Sequence, residues 1–201
     1  AFDTGPANMV LDALVQRLSK GRTSFDRGGT MAANGVVHLA LLKELMGHSY
    51  LKRRPPKSTG REEFGGPFIE QLLAKQRAYR LGLADLLATC AYWTAASVGE
   101  ARRWIRGDID EVVVGGGGVY NRTVMRNLES VFDDTPVKTF DDLGWNSKAF
   151  EAIAFAVLAY QTASGTCNNL PRVTGAQHAV VLGTIVPGKS AKLRRQLKQY
   201  R

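Results

Sequence analysis

Three valines, Val112-Val113-Val114, run straight into four consecutive glycines, Gly115 to Gly118. No other stretch restricts the possible folds of this chain as much. The β-branched residues within 109–114 predict a buried strand. The pattern over 121–132 predicts a helix close behind the glycines. A strand that ends in glycine and passes at once into a helix is a joint of α/β architecture. Four glycines are more than a turn requires. They permit positive φ and let a flat ligand approach the backbone. Free N–H groups at the following helix start favour phosphate or the polar edge of a ring. No Lys-Ser/Thr follows, so this is not a Walker A loop, and the spacing is not that of a GxGxxG dinucleotide fingerprint. A plain strand-to-helix turn is the alternative reading of the same residues.

The remaining periodicity predicts helices starting at Met9 and over 36–47, 68–81, 83–106 and 147–164. It predicts strands at 136–140 and about 179–186, and a strand end at 1–6 running into a loop. Residues 23–34 and 50–66 read as loop. Strands alternating with long helices give an α/β class with a layered sheet.

Composition narrows the functions. At 201 residues, 44% hydrophobic and 22% charged, the chain has globular proportions, which excludes wholesale disorder and disulfide scaffolds. No run approaches the ~18 apolar residues of a membrane span, and no basic region followed by an apolar one suggests a secretory signal. Cys90 and Cys167 are too few to form a metal cluster and read as reduced and buried, which fits the cytoplasm. Of the net charge of +9, six charges sit in the basic tail 189–201, on Lys189, Lys192, Arg194, Arg195, Lys198 and Arg201. A nucleic-acid role would rest on that tail alone, without the interleaved aromatics of single-strand binders. The alternative is a solvated, disordered terminus.

Three further segments carry chemistry. In Asp3-Thr4-Gly5-Pro6-Ala7-Asn8, a carboxylate, a hydroxyl and a glycine precede a helix start, a composition suited to phosphate or metal-bound water; an ordinary turn is the alternative. Lys57-Ser58-Thr59-Gly60-Arg61-Glu62 gathers two cations, two hydroxyls and a carboxylate in one polar loop, or simply caps a helix. Glu151 lies in an apolar helix, where a carboxylate must be exposed, paired or bound to a cation. His38, His48 and His178 have no ligand spacing and read as structural.

Taken in order, Phe2-Asp3-Thr4-Gly5-Pro6-Ala7-Asn8, Pro55-Pro56-Lys57-Ser58-Thr59-Gly60-Arg61-Glu62, Gly116-Gly117-Gly118-Val119-Tyr120-Asn121, Glu151-Ala152-Ile153-Ala154-Phe155-Ala156 and Asn169-Leu170-Pro171-Arg172-Val173-Thr174-Gly175-Ala176 resemble the anhydro-N-acetylmuramic acid kinases. That family belongs to the sugar-kinase, heat-shock and actin ATPase superfamily. Levoglucosan kinases look similar and supply the alternative substrate. The resemblance covers residues 1–188 and implies the ribonuclease-H-like second domain of an actin-like ATPase fold, incomplete at its N-terminal strand. It implies ATP and Mg²⁺ as cofactors and opening of a 1,6-anhydro ring with phosphorylation of O6. Asp3, Thr4, Gly5 and Glu151 would take the phosphate and metal side, with Glu151 toward Mg²⁺. Gly116, Gly117, Gly118 and Asn121 would face the nucleotide. Lys57, Thr59, Arg61 and Glu62 would form a substrate or interdomain loop. The family's phosphate loop and general base are expected on a first half absent from this sequence, so no catalytic residue is assigned. The isolated chain is expected to be inactive, or to be a non-catalytic ATP-binding module, and to need that half in cis or trans. The resemblance also leaves room for a homodimer. Gly115 stands where the family usually has Cys or Ser, and Ala7 where it usually has Gly.

Overall fold

The computed structural model describes residues 1–186. It is mixed α/β, mostly helical, and divides into two compact units: Phe2–Ser147, and the chain from Lys148 onward together with Ala1. The basic tail at 189–201 and the boundary expected at 188 lie outside the described residues.

The first unit is built around α7 (Leu83–Glu100). Leu and Ala, good helix formers, dominate it, its β-branched residues are isolated, and Asp85 in the first turn suits the helix dipole. Leu86, Leu87, Cys90, Ala91, Trp93 and Ala95 are buried on several of its sides. Around it pack α1 (Asn8–Leu18), α2 (Thr30–Ala33), α3 (Leu39–Met46) and α8 (Arg122–Phe132). The short α4 (Ser49–Lys52) and α5 (Arg61–Phe64) lead into α6 (Gly66–Ala78). There Phe64 and Phe68 set their rings against Trp93, each at a centroid distance of 5.7 Å. Burying one such Leu or Phe contributes ~1.5–3 kcal/mol. An exposed ion pair such as Arg17–Glu70 contributes roughly 0–1 kcal/mol, so the apolar core decides this fold.

The helices predicted at 36–47, 68–81 and 83–106 are present and end earlier than expected, α3 also starting later and α6 two residues sooner; α7 gives way to a 3₁₀ turn, Ala101–Trp104. The loop expected at 23–34 holds α2 and the 3₁₀ turn Arg27–Gly29. Asp26 is buried there and accepts from the N–H groups of Met31 (2.8 Å) and Ala32 (2.9 Å).

The layered sheet does not extend as expected. Among the described residues it has two parallel strands, β1 (Val112–Val114) and β2 (Val137–Thr139), with Val113 opposite Lys138. Residues 1–6 form no strand. Residues 179–186 do not either, because side chains take up their backbone groups. Val180 N–H donates to Asn169 Oδ1, Leu182 N–H to Asn168 Oδ1, and Leu182 C=O accepts from Thr162 Oγ1. The second unit holds α9 (Phe150–Ala163) and α10 (Pro171–Thr174). Cys90 is buried, which pushes its thiol up to about 12. Cys167 is exposed, contrary to expectation, in a segment that follows the end of α9.

Candidate functional site

Within the first unit, three separated segments meet at the start of α1. Residues 2–8 form the centre. Ala7 precedes α1 with φ 48° and ψ −134°, offers no side-chain cap, and no acid follows in the first turn. Met9 N–H donates to Pro6 C=O at 3.1 Å, and the other first-turn N–H groups of α1 are left for an anion or water. Ala7 C=O accepts from Thr94 Oγ1 on α7 at 3.2 Å. Gly5 lies so close to α7 that a Cβ would come within 2.7 Å of Ser97 Oγ. The Asp-Thr-Gly turn therefore rests on the C-terminal half of the central helix.

The polar loop 57–60 closes on the same turn. Asp3 Oδ2 accepts from Ser58 Oγ at 2.8 Å and from Thr59 N–H at 2.9 Å. Asp3 N–H donates to Lys57 C=O at 3.2 Å, and Asp3 C=O accepts from the Tyr50 hydroxyl at 2.8 Å. Lys57 Nζ turns inward, donates to Tyr50 C=O, and lies 4.7 Å from the Tyr50 ring centroid. Burial, helped by the Arg103 and Arg53 guanidinium groups, holds the Lys57 ammonium below its usual range. Burial, helped by the Asp3 charge, raises the Tyr50 hydroxyl. Thr59 Oγ1 is buried with no hydrogen-bond partner. Arg61 and Glu62 are exposed at the start of α5. Of the loop residues anticipated for a ligand, Lys57 and Thr59 thus serve the turn, and Arg61 and Glu62 face solvent.

The glycine run meets the turn from the other side. A Cβ on Gly118 would lie 3.2 Å from Asn8 Nδ2, whereas one on Gly116 or Gly117 would meet nothing within 4 Å. Gly116 has φ +78°, the conformation for which glycine was anticipated. Its N–H donates to the Ser147 C=O at 3.0 Å. Gly115 is explained by Phe140, whose ring occupies the space a Cβ would need. Asn121 is the N-cap of α8, its Oδ1 accepting from the N–H groups of Thr123 and Val124. That oxygen is committed to the fold.

A cavity of about 600 Å³ opens beside Val119 of this turn, along β2. Val119, Met125 and Val137 give it apolar walls; Arg122, Arg126, Glu129, Thr30, Thr139 and Asp142 give it polar ones. Asp142 Oδ2 accepts from the N–H and hydroxyl of Thr139, which holds its carboxyl below the usual range. An apolar slot whose rim carries charges of both signs suits a ring bearing polar edges. The composition of this wall, drawn from α8, β2 and residues 28–33, carries no local motif, and sequence reasoning missed it. Ser58, Asn8 and Tyr50 lay inside or near the motifs without being singled out.

Glu151 belongs to the second unit and stands exposed in the first turn of α9. No group of three or more His, Cys, Asp or Glu side chains placed to hold a metal ion occurs among the described residues. His38 and His48 cap α3 and α4 through their Nδ1 atoms.

The family model for anhydro-N-acetylmuramic acid kinase matches residues 1–188. The chain belongs to the anhydro-N-acetylmuramic acid kinase family. Similar proteins bearing that name occur in Salinibacter ruber, 45% identical over 192 residues, and in Caldanaerobacter subterraneus, 42% identical over 188 residues. A third, from Bacillus cereus, is 44% identical over 190 residues. These matches take in 94%, 92% and 92% of this chain but 48%, 48% and 49% of the relatives. The chain therefore spans about half the length of the curated relatives it matches. No helix among the described residues is long and apolar enough to cross a membrane.

Proposed function

We propose that this chain is the nucleotide-binding half of an ATP-dependent kinase that opens the 1,6-anhydro ring of anhydro-N-acetylmuramic acid and phosphorylates its O6. The observation that carries this reading is the meeting of the Asp3 turn and the start of α1 with the glycine run, where Gly118 approaches Asn8 and Gly116 and Gly117 face open space, while Val119 of the same turn lines the cavity. We read residues 1–188 as the ribonuclease-H-like C-terminal half of an actin-like ATPase. Turnover then needs the complementary half, in cis or in trans.

In this reading the base of ATP enters the cavity between Val119, Met125 and the Arg122 and Arg126 guanidinium groups. Its phosphates run past Gly116 and Gly117 toward the N–H groups of α1. Asp3 has one carboxylate oxygen held and the other open, so it meets the two demands of the reaction at this end: it can hold a cation or accept a proton from water. Mg²⁺ would neutralise phosphate charge when bound, and Asp3 would offer it the open carboxylate oxygen. Thr4 and Gly5 shape the turn that faces the phosphates. Levoglucosan is the alternative anhydrosugar.

Gly117→Val tests the nucleotide role. The side chain enters open space, so the fold is spared while the ligand's path is filled. Calorimetry should show at least a tenfold loss of ATP affinity with a melting temperature within about 2 °C of the parent. Equal affinities with matched melts would remove the loop from the nucleotide site.

A further inference from the structure

The carboxylate at the centre of the site does not hold itself in place. Asp3 is exposed, and a short exposed side chain at a turn samples several rotamers unless something fixes it. Two donors do so here, both on one oxygen: Ser58 Oγ at 2.8 Å and Thr59 N–H at 2.9 Å. The backbone is fixed as well, through Lys57 C=O and the Tyr50 hydroxyl. The donors lie more than fifty residues from Asp3. Lys57, which fastens their loop, is committed to the carbonyls of Tyr50 and Leu51.

We infer that Ser58 is a positioning residue: its hydroxyl clamps Oδ2 of Asp3 so that Oδ1 faces the reacting groups in one orientation. The inference rests on the reading of Asp3 in the proposed kinase site. Thr59 N–H supplies the second, backbone half of the clamp, which no side-chain substitution removes. Replacing Ser58 with Ala therefore leaves Asp3 in place but free to swing about one remaining bond. Reactions of this kind depend on alignment, and a misplacement of about 1 Å costs on the order of a hundredfold in rate. Ground-state binding, which is shared among the glycine loop, the cavity and the start of α1, is spared.

The test compares the parent, Ser58→Ala, Ser58→Thr and Asp3→Asn, each supplied with the complementary half of the enzyme, by an ADP-release assay with anhydro-N-acetylmuramic acid. Ser58→Ala is expected to lower kcat ten- to a hundredfold with KM for ATP and sugar within about twofold. Ser58→Thr keeps the hydroxyl and should restore most of the rate; Asp3→Asn should abolish it. Unchanged kcat in Ser58→Ala, a rise in KM alone, or no rescue by Ser58→Thr overturns the clamp, and the kinase reading survives if Asp3→Asn is dead. A parent that turns over no sugar, or an Asp3→Asn variant as fast as the parent, removes the kinase reading and the clamp with it.

Discussion

Single residues in this protein are explained by what lies a few ångströms away. Ala7 is the clearest case. At φ 48° and ψ −134° its methyl group sits in a region that L-residues avoid at a cost of roughly 1–3 kcal/mol. Glycine would carry no such strain but would lose about 0.5–1 kcal/mol through the freer unfolded chain. Ala7→Gly should therefore stabilise the protein by about 1 kcal/mol, read as a higher urea midpoint at unchanged slope; a lower midpoint would show that the turn is relaxed. The resemblance placed glycine here from the family pattern alone, and the dihedral angles supply the reason. The substitution at Gly115 was legible in the sequence, whereas its cause, the ring of Phe140, was not. Asp3 and the glycines could be picked out as chemistry-bearing residues because their types and local order are distinctive. Ser58 could not, because a serine gains its role only when a distant carboxylate is folded against it.

Helices announced themselves in the sequence where an apolar face repeats, as in α1 and α8, and strands did so less securely. The run 179–186 has strand composition, yet Asn168, Asn169 and Thr162 satisfy its backbone without a ladder. Composition reports what a segment tolerates, and hydrogen-bond partners decide what it becomes. The short α4 shows how a local cap carries a pH response. His48 Nδ1 accepts from Tyr50 N–H at 3.3 Å, and burial, together with Arg53, lowers the imidazole's pKa below its ordinary value near 6.5 despite the opposing pull of Glu63. A histidine depressed in the fold binds protons more readily when unfolded, so its contribution is intact above about pH 6.5 and is lost as the pH falls below it. The urea midpoint should drop between pH 7.5 and pH 5.5, and His48→Asn, which keeps a capping oxygen, should flatten that drop. An equal drop in the variant would assign the pH response to other groups.

At the scale of the whole molecule, the second unit presents an unusual surface. Ile153, Val157 and Tyr160 share one face of α9 and Phe155 lies on another; they are 41%, 50%, 73% and 69% exposed. A helix apolar on all sides is of the kind normally enclosed by protein. The chain should self-associate with rising concentration, and Val157→Lys with Tyr160→Lys should suppress the light scattering severalfold. Scattering that stays the same would acquit this helix. The first unit has a different property, set by the distances along the chain that its site spans. Asp3 reaches residues 57–59, Ala7 reaches Thr94, and Asn8 reaches Gly118. None of these pairings is local, and closing such loops precedes any energetic return from the contacts. The segment that opens α1 thus lacks its distant partners until the central helix, the polar loop and the glycine turn have all arrived. During refolding, helical signal would come back well before the pocket does, and competence for ligand would report the completion of the unit rather than its beginning.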